Sequence, residues 1–220
     1  MKTDSVAGSA PDSAGATGPE QVKVWDIAVR VFHWSLVVFF FVAYLSGDDD
    51  SLLHVYSGYG VLALVAFRLV WGVIGTRHAR FTDFVRGRAA TAQYVRAMIA
   101  LKPPHYLGHN PLGGWMIVAL LTCLALSCWT GLLAYGAQGH GPLADQGVVL
   151  VSPAMADDDH DRKRGEGKED EFWGEVHEVL SDFTLFLVFL HVLGAVVSSV
   201  AHRENLVKAM VTGYKRRAQP

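Results

Sequence analysis

Residues 174–200, GEVHEVLSDFTLFLVFLHVLGAVVSSV, decide the fold of this chain. An apolar run this long is enough to cross the roughly 30 Å hydrocarbon core of a bilayer as one helix. It also carries two histidines, His177 and His191, and 191 − 177 is 14 residues. At about 100° per residue, 14 steps bring a side chain back to within about 40° of its starting direction, about 21 Å further along the axis. One spanning helix therefore presents two imidazoles on one face at two depths. An imidazole facing lipid is costly, so such residues are expected to have partners.

Three further apolar stretches extend the pattern outward from this one, at about 30–46, 52–74 and 112–136. The chain has 220 residues, 51% of them hydrophobic, and a net charge of −2. Composition at that level suits a soluble domain as well; the clustering of apolar residues into four helix-length segments is what predicts an all-α, integral membrane four-helix bundle. The first 21 residues lack an apolar signal core and read as a disordered tail. Residues 22–213 form the predicted bundle domain, with a charged loop at 137–173 and a short basic tail at 214–220.

Basic residues orient the bundle. Arg77, Arg80, Arg86, Arg88, Arg96 and Lys102 lie between the second and third segments, and Arg203, Lys208, Lys215, Arg216 and Arg217 follow the fourth. The turn at 46–51 has three aspartates and no cation, and in residues 157–171, DDDHDRKRGEGKEDE, acids outnumber bases. Because basic loops stay in the cytoplasm, both termini are expected there, in the inner membrane of a bacterium, with the 137–173 loop in the periplasm. That loop reads either as solvated chain or as a docking strip for a basic partner. No nucleic-acid partner is expected, and no phosphate loop, CxxC pair, CxxCH attachment site or nucleophilic triad pattern occurs.

In this topology His33 lies near the cytoplasmic start of the first helix and His54 near the outer start of the second. Depth pairs His54 with His177 on the outer side and His33 with His191 on the inner side. Neutral imidazole is a good ligand for haem iron, and two axial nitrogens leave no open coordination position. Four histidines for two irons predict two haem b groups about 20 Å apart and electron transfer rather than catalysis at iron. Arg68 lies 14 residues after His54, at the level of the inner pair, where a haem propionate, a quinone oxygen or an interfacial anchor role would satisfy it. Arg30, one turn below His33, either serves a propionate or snorkels to lipid phosphate. Gly58, Gly174 and Gly194 lie one turn from ligand histidines, where a flat macrocycle needs room, although glycine also serves close helix packing. His78, His105, His109, His140 and His160 read as solvated; His202 lies on the face of His191, where a quinone could approach from the cytoplasmic rim.

The stretches VWDIAVRVFHW (24–34), LHVYSGYGVLALVAFRLVWGVIGTRHARF (53–81), GHNPLGGW (108–115) and 176–213 together resemble the bacterial cytochrome b561 family, which includes the b-type cytochrome subunit of nickel–iron hydrogenases. The resemblance implies a four-helix bundle, two bis-histidine haems held by His33, His54, His177 and His191, and exchange with the quinone pool. It leaves the periplasmic partner as either a c-type cytochrome or a hydrogenase subunit. A stand-alone superoxide:quinone oxidoreductase is the alternative, for which the acidic turn at 48–50 is unfavourable, although the basic residues at 162–164 supply some positive charge. A non-redox scaffold whose histidines line a proton or metal path is a third.

Overall fold

The computed structural model describes residues 21–47, 51–100, 104, 106–144 and 159–216, with the side chains of 159–170 and 216 excepted. The N-terminal tail, residues 48–50, 101–103 and His105, residues 145–158 of the expected outer loop and the last four residues lie outside the described residues, as does the side chain of His160. Four helices are long and apolar enough to cross a membrane: α1 (Ile27–Leu45), α2 (Leu52–Ile74), α5 (Pro111–Ala137) and the Glu171–Ala201 part of α6 (Asp159–Ala201). Between α2 and α5 lie a short 3-10 turn (Arg77–Ala79), α3 (Phe81–Phe84) and α4 (Arg88–Ile99). After α6 come α7 (Leu206–Thr212) and the strand β2 (Tyr214–Arg216), which pairs antiparallel with β1 (Gln21–Lys23).

Local chemistry sets the helix starts. Asp26 caps α1, its Oδ1 accepting from Val29 N at 2.8 Å, so the helix begins at Ile27 rather than at residue 30. The same carboxylate accepts from Trp71 Nε1 at 3.2 Å and from Thr76, tying the first helix to the end of the second. Burial alone would raise the Asp26 carboxyl, but bonds from Thr76, Val29 and Trp71 hold it below its ordinary value. Asn110 caps α5, accepting from Gly113 N at 2.7 Å, with Pro111 in the first helical turn where a missing N–H costs nothing. The charged stretch from Asp159 onward is helical, earlier than the expected start at 174. Its Arg, Lys and Glu are good helix formers and continue the backbone of α6 without an apolar anchor.

α5 packs along α6, α1 along α2, and α2 against α5. Val61, Val65 and Leu124 form the buried centre of the α2–α5 contact, with Leu36 and Phe40 of α1 packed on it. Outward-facing side chains such as Val38, Val73 and Phe189 are exposed, as a lipid-facing surface requires. At one end, Val24 N and Trp25 N both donate to Gly213 O, at 2.9 and 3.1 Å, through a left-handed turn (φ +87°) that glycine adopts without strain. Lys215 Nζ donates to Tyr106 O at 3.2 Å. Strands β1 and β2 and the described part of the α2–α5 connection therefore form one cap, and Lys215, expected in the short basic tail, is buried within it.

Two histidine pairs as candidate metal centres

The first pair joins α2 and α6. Ser51 caps α2 by accepting from His54 N at 3.3 Å, which fixes His54 in the first turn. His54 Nδ1 donates to Ala43 O at 2.9 Å, and His177 Nδ1 donates to Ser127 O at 2.9 Å, with Thr130 Oγ1 at 3.4 Å. A carbonyl can only accept, so both rings carry their proton on Nδ1 and leave Nε2 free to bind. The two ring centroids are 5.9 Å apart with planes at 83°. Gly131 makes the approach of His177 possible: a Cβ there would lie 3.0 Å from the imidazole.

The second pair joins α1 and α6. His33 and His191 have ring centroids 6.5 Å apart with planes at 50°, and Trp34 meets His33 edge-on at 5.2 Å. His33 Nδ1 is buried without a hydrogen-bond partner among the described residues. The four histidines thus meet in the pairs that depth predicts, two from α6 and one each from α1 and α2.

Haem fits this arrangement. With a metal–nitrogen bond of about 2 Å and a ring centre roughly 1 Å behind the nitrogen, two imidazoles on one iron hold their centroids about 6 Å apart. Both pairs lie close to that separation. A Cβ at Gly58, Gly174 or Gly194 would meet nothing within 4 Å. Among the described residues no group of three or more His, Cys, Asp or Glu could hold a bare ion. A porphyrin supplies four nitrogens of its own and needs only the axial pair.

Around the second pair lie cations and unpaired donors. Arg68 is 3% exposed, its guanidinium 5.0 Å from the Phe81 ring centre and 5.7 Å from that of Phe84, and its Nη1 has no hydrogen-bond partner among the described residues. Arg30 donates from Nη2 to Val211 O, so it caps the end of α7, while its Nε is buried and unpaired among the described residues.

His109 is a correction to the sequence reading. Expected to be solvated, it is packed between Trp25 (centroids 4.5 Å apart) and Phe84 (5.0 Å), with Nδ1 buried and unpartnered among the described residues. Burial, then the nearby charges of Arg68 and Lys215, push its pKa down to about 3, so it is neutral at pH 7. The capping motif Asn110–Pro111 just after it fixes where α5 starts, but nothing local in the sequence announces that the preceding loop folds beneath Trp25. His78 is also partnered, its Nδ1 3.1 Å from Asp83 Oδ2, and His140 stacks on Tyr135 at 5.4 Å. The His202 amide closes the end of α6 on Ser198 O at 3.1 Å.

Residues 24–213 match the family model described as prokaryotic cytochrome b561. Among curated relatives, a probable Ni/Fe-hydrogenase B-type cytochrome subunit from Cupriavidus necator is 22% identical over 248 residues, covering 98% of this chain and 97% of its own length. Proteins of the same name from Azotobacter chroococcum and Azotobacter vinelandii are each 26% identical over 223 residues, covering 88% of both chains. No solved structure matches the chain.

Proposed function

Because the chain belongs to the prokaryotic cytochrome b561 family, we propose that it is a multi-pass membrane carrier that holds two haem b groups and passes electrons between a hydrogenase at its outer face and quinone at its inner face. The observation that carries this reading is the pair of imidazole couples, with centroids 5.9 and 6.5 Å apart. Haem b ligated by two imidazoles supplies a one-electron site with no open position for oxygen or substrate. The residues around it hold and tune. Nδ1 donation from His54 and His177 fixes both tautomers and points Nε2 inward. Arg68 and Arg30 offer buried donors for propionates at the His33–His191 end.

Orientation follows from charge. The α2–α5 connection, which packs with β1 and β2 at this end, carries the basic residues Arg77, Arg80, Arg86, Arg88 and Arg96, which favours the cytoplasm for the His33–His191 end. Quinone is favoured there by the neutral His109 and by Arg68, two donors beside one aromatic ring, Phe84. The names of the relatives favour a hydrogenase over a soluble c-type cytochrome, and over stand-alone oxidation of superoxide. The test is a pyridine haemochrome assay on detergent-purified protein, with two haem b per chain expected, followed by quinone reduction in membranes supplied with a purified hydrogenase. A preparation that is folded and lacks haem b contradicts the reading.

A further inference from the structure

The two histidine pairs differ in what stands behind the rings. At the α2–α6 pair, both imidazoles give Nδ1–H to main-chain carbonyls, those of Ala43 and Ser127, at 2.9 Å each. At the α1–α6 pair, His33 Nδ1 is buried with no such acceptor among the described residues. The contrast is built into the backbone. Ala43 sits in the last turn of α1, where carbonyls lack their helical partners, and one of them is available to His54. Ser127 lies in α5 four residues before Gly131, and the missing side chain at 131 is what lets His177 reach that carbonyl. A Cβ at 131 would lie 3.0 Å from the ring, so His177 would have to give by a few tenths of an ångström.

An imidazole that donates its second N–H to a carbonyl is a more basic ligand, because the proton is partly withdrawn towards the acceptor. A more basic ligand stabilises ferric over ferrous iron and lowers the reduction potential. The opposite pair sits at the end of the bundle that holds the buried guanidinium of Arg68 and the Nε of Arg30. Positive charge in a low-dielectric setting favours an added electron. Even paired with a propionate, a guanidinium cancels a negative charge that would otherwise oppose reduction. Both effects point the same way.

On the two-haem reading above, we infer that Gly131 and the carbonyls of Ala43 and Ser127 are positioning groups that make the His54–His177 end the low-potential end of the electron path, so that electrons run from it to the His33–His191 end. The balance is one electron for one: an outer one-electron donor is oxidised as the His54–His177 site is reduced, and that site is reoxidised as the His33–His191 site is reduced. Two such passages, with two protons from the inner side, convert one quinone to one quinol.

The experiment is an optical redox titration of the purified holoprotein, with near-infrared magnetic circular dichroism to report axial-ligand basicity. Two steps are expected in the wild type. Gly131→Ala is expected to raise the lower step and leave the upper step in place, with a change in the charge-transfer band of one centre alone. Where Gly131→Ala fails to retain both haems, the single-centre variants decide: the centre surviving in His33→Ala must titrate below the centre surviving in His177→Ala. An unmoved lower step in Gly131→Ala, a shift of the upper step instead, or the reverse order in the single-centre variants overturns the inference. A wild type with one haem or none defeats the two-haem reading itself, whereas two haems in the reverse order defeat only the assignment made here.

Discussion

Lys215 Nζ lies 3.4 Å from Glu204 Oε2, and both side chains are almost wholly buried, at 6% and 11% exposure. The ion pair locks the strand β2 against the start of α7, and with β1 it closes the cap beneath the inner histidine pair. Burial pulls the Lys215 ammonium below its ordinary pKa, and Glu204 partly restores it. Removing one partner of a buried pair leaves an uncompensated charge and costs about 3–5 kcal/mol, whereas replacing both with apolar groups is often close to neutral. Glu204→Leu is therefore expected to lower the thermal midpoint of the detergent-solubilised protein clearly, and Glu204→Leu with Lys215→Met to recover most of that loss. A double variant no better than the single one would show that the pair is not the feature holding the cap.

Arg68 is expected to matter to one centre only. Its guanidinium lies over Phe81 and Phe84, at the end of α2 remote from His54. Arg68→Leu should shift the potential, or reduce the occupancy, of the centre that His33→Ala removes, with little effect on the other. Arg68→Lys should rescue poorly, because an ammonium neither stacks nor presents a planar fork of donors. Equal disturbance of both centres in a redox titration would contradict this placement.

His109 predicts acid sensitivity. Its folded pKa, about 3, lies below the ordinary value of 6.5, because burial and the cations beside it disfavour the charged ring. Above pH 6.5 the ring is neutral whether the cap is folded or open, so it contributes no pH dependence there. As pH falls from 6.5 towards 3 the opened state takes up a proton that the folded state refuses, and stability declines by up to about 1.4 kcal/mol per pH unit. His109→Gln, which cannot take up that proton, should flatten this part of the profile in thermal melts between pH 6.5 and pH 4.5. An unchanged slope would mean that His109 stays unprotonated in the opened state as well, or that the cap does not open.

The Asp26 carboxylate is expected to be a stability determinant of α1. Asp26→Ala removes the N-cap to Val29 together with the bonds from Trp71 and Thr76. A lost cap alone costs about 1 kcal/mol, and the two further donors add to it. The expected result is a lower thermal midpoint with both centres retained, whereas Asp26→Asn should fall in between.

The spans and the histidine pairs were legible because each rests on a single length or period. A bilayer fixes how many apolar residues a span needs, and a 14-residue interval fixes which histidines share a face at which depth. His109, Lys215 and Gly131 escaped such reading because their roles arise between elements distant in sequence. His109 is buried by Trp25 from the chain start and Phe84 from α3; Lys215 is buried by Glu204 and Tyr106. Nothing in the residues flanking Gly131 reveals that His177 will pack on it. The charged segment from 159 carried conflicting signals, good helix formers without an apolar face, and the backbone follows propensity. Gly58, Gly174 and Gly194 read in the sequence either as room for a flat group or as close helix packing, and a Cβ at each would meet nothing within 4 Å.

Pairwise haem loss in four single variants tests the central claim most directly. Each of His33, His54, His177 and His191 is replaced by alanine, and haem b per chain and the identity of the surviving centre are read from spectra and potentials. The expected result is that His54→Ala and His177→Ala lose the same centre, while His33→Ala and His191→Ala lose the other. Loss of the same centre by His33→Ala and His54→Ala, or full haem content in any of the four, would contradict the pairing on which the electron path rests.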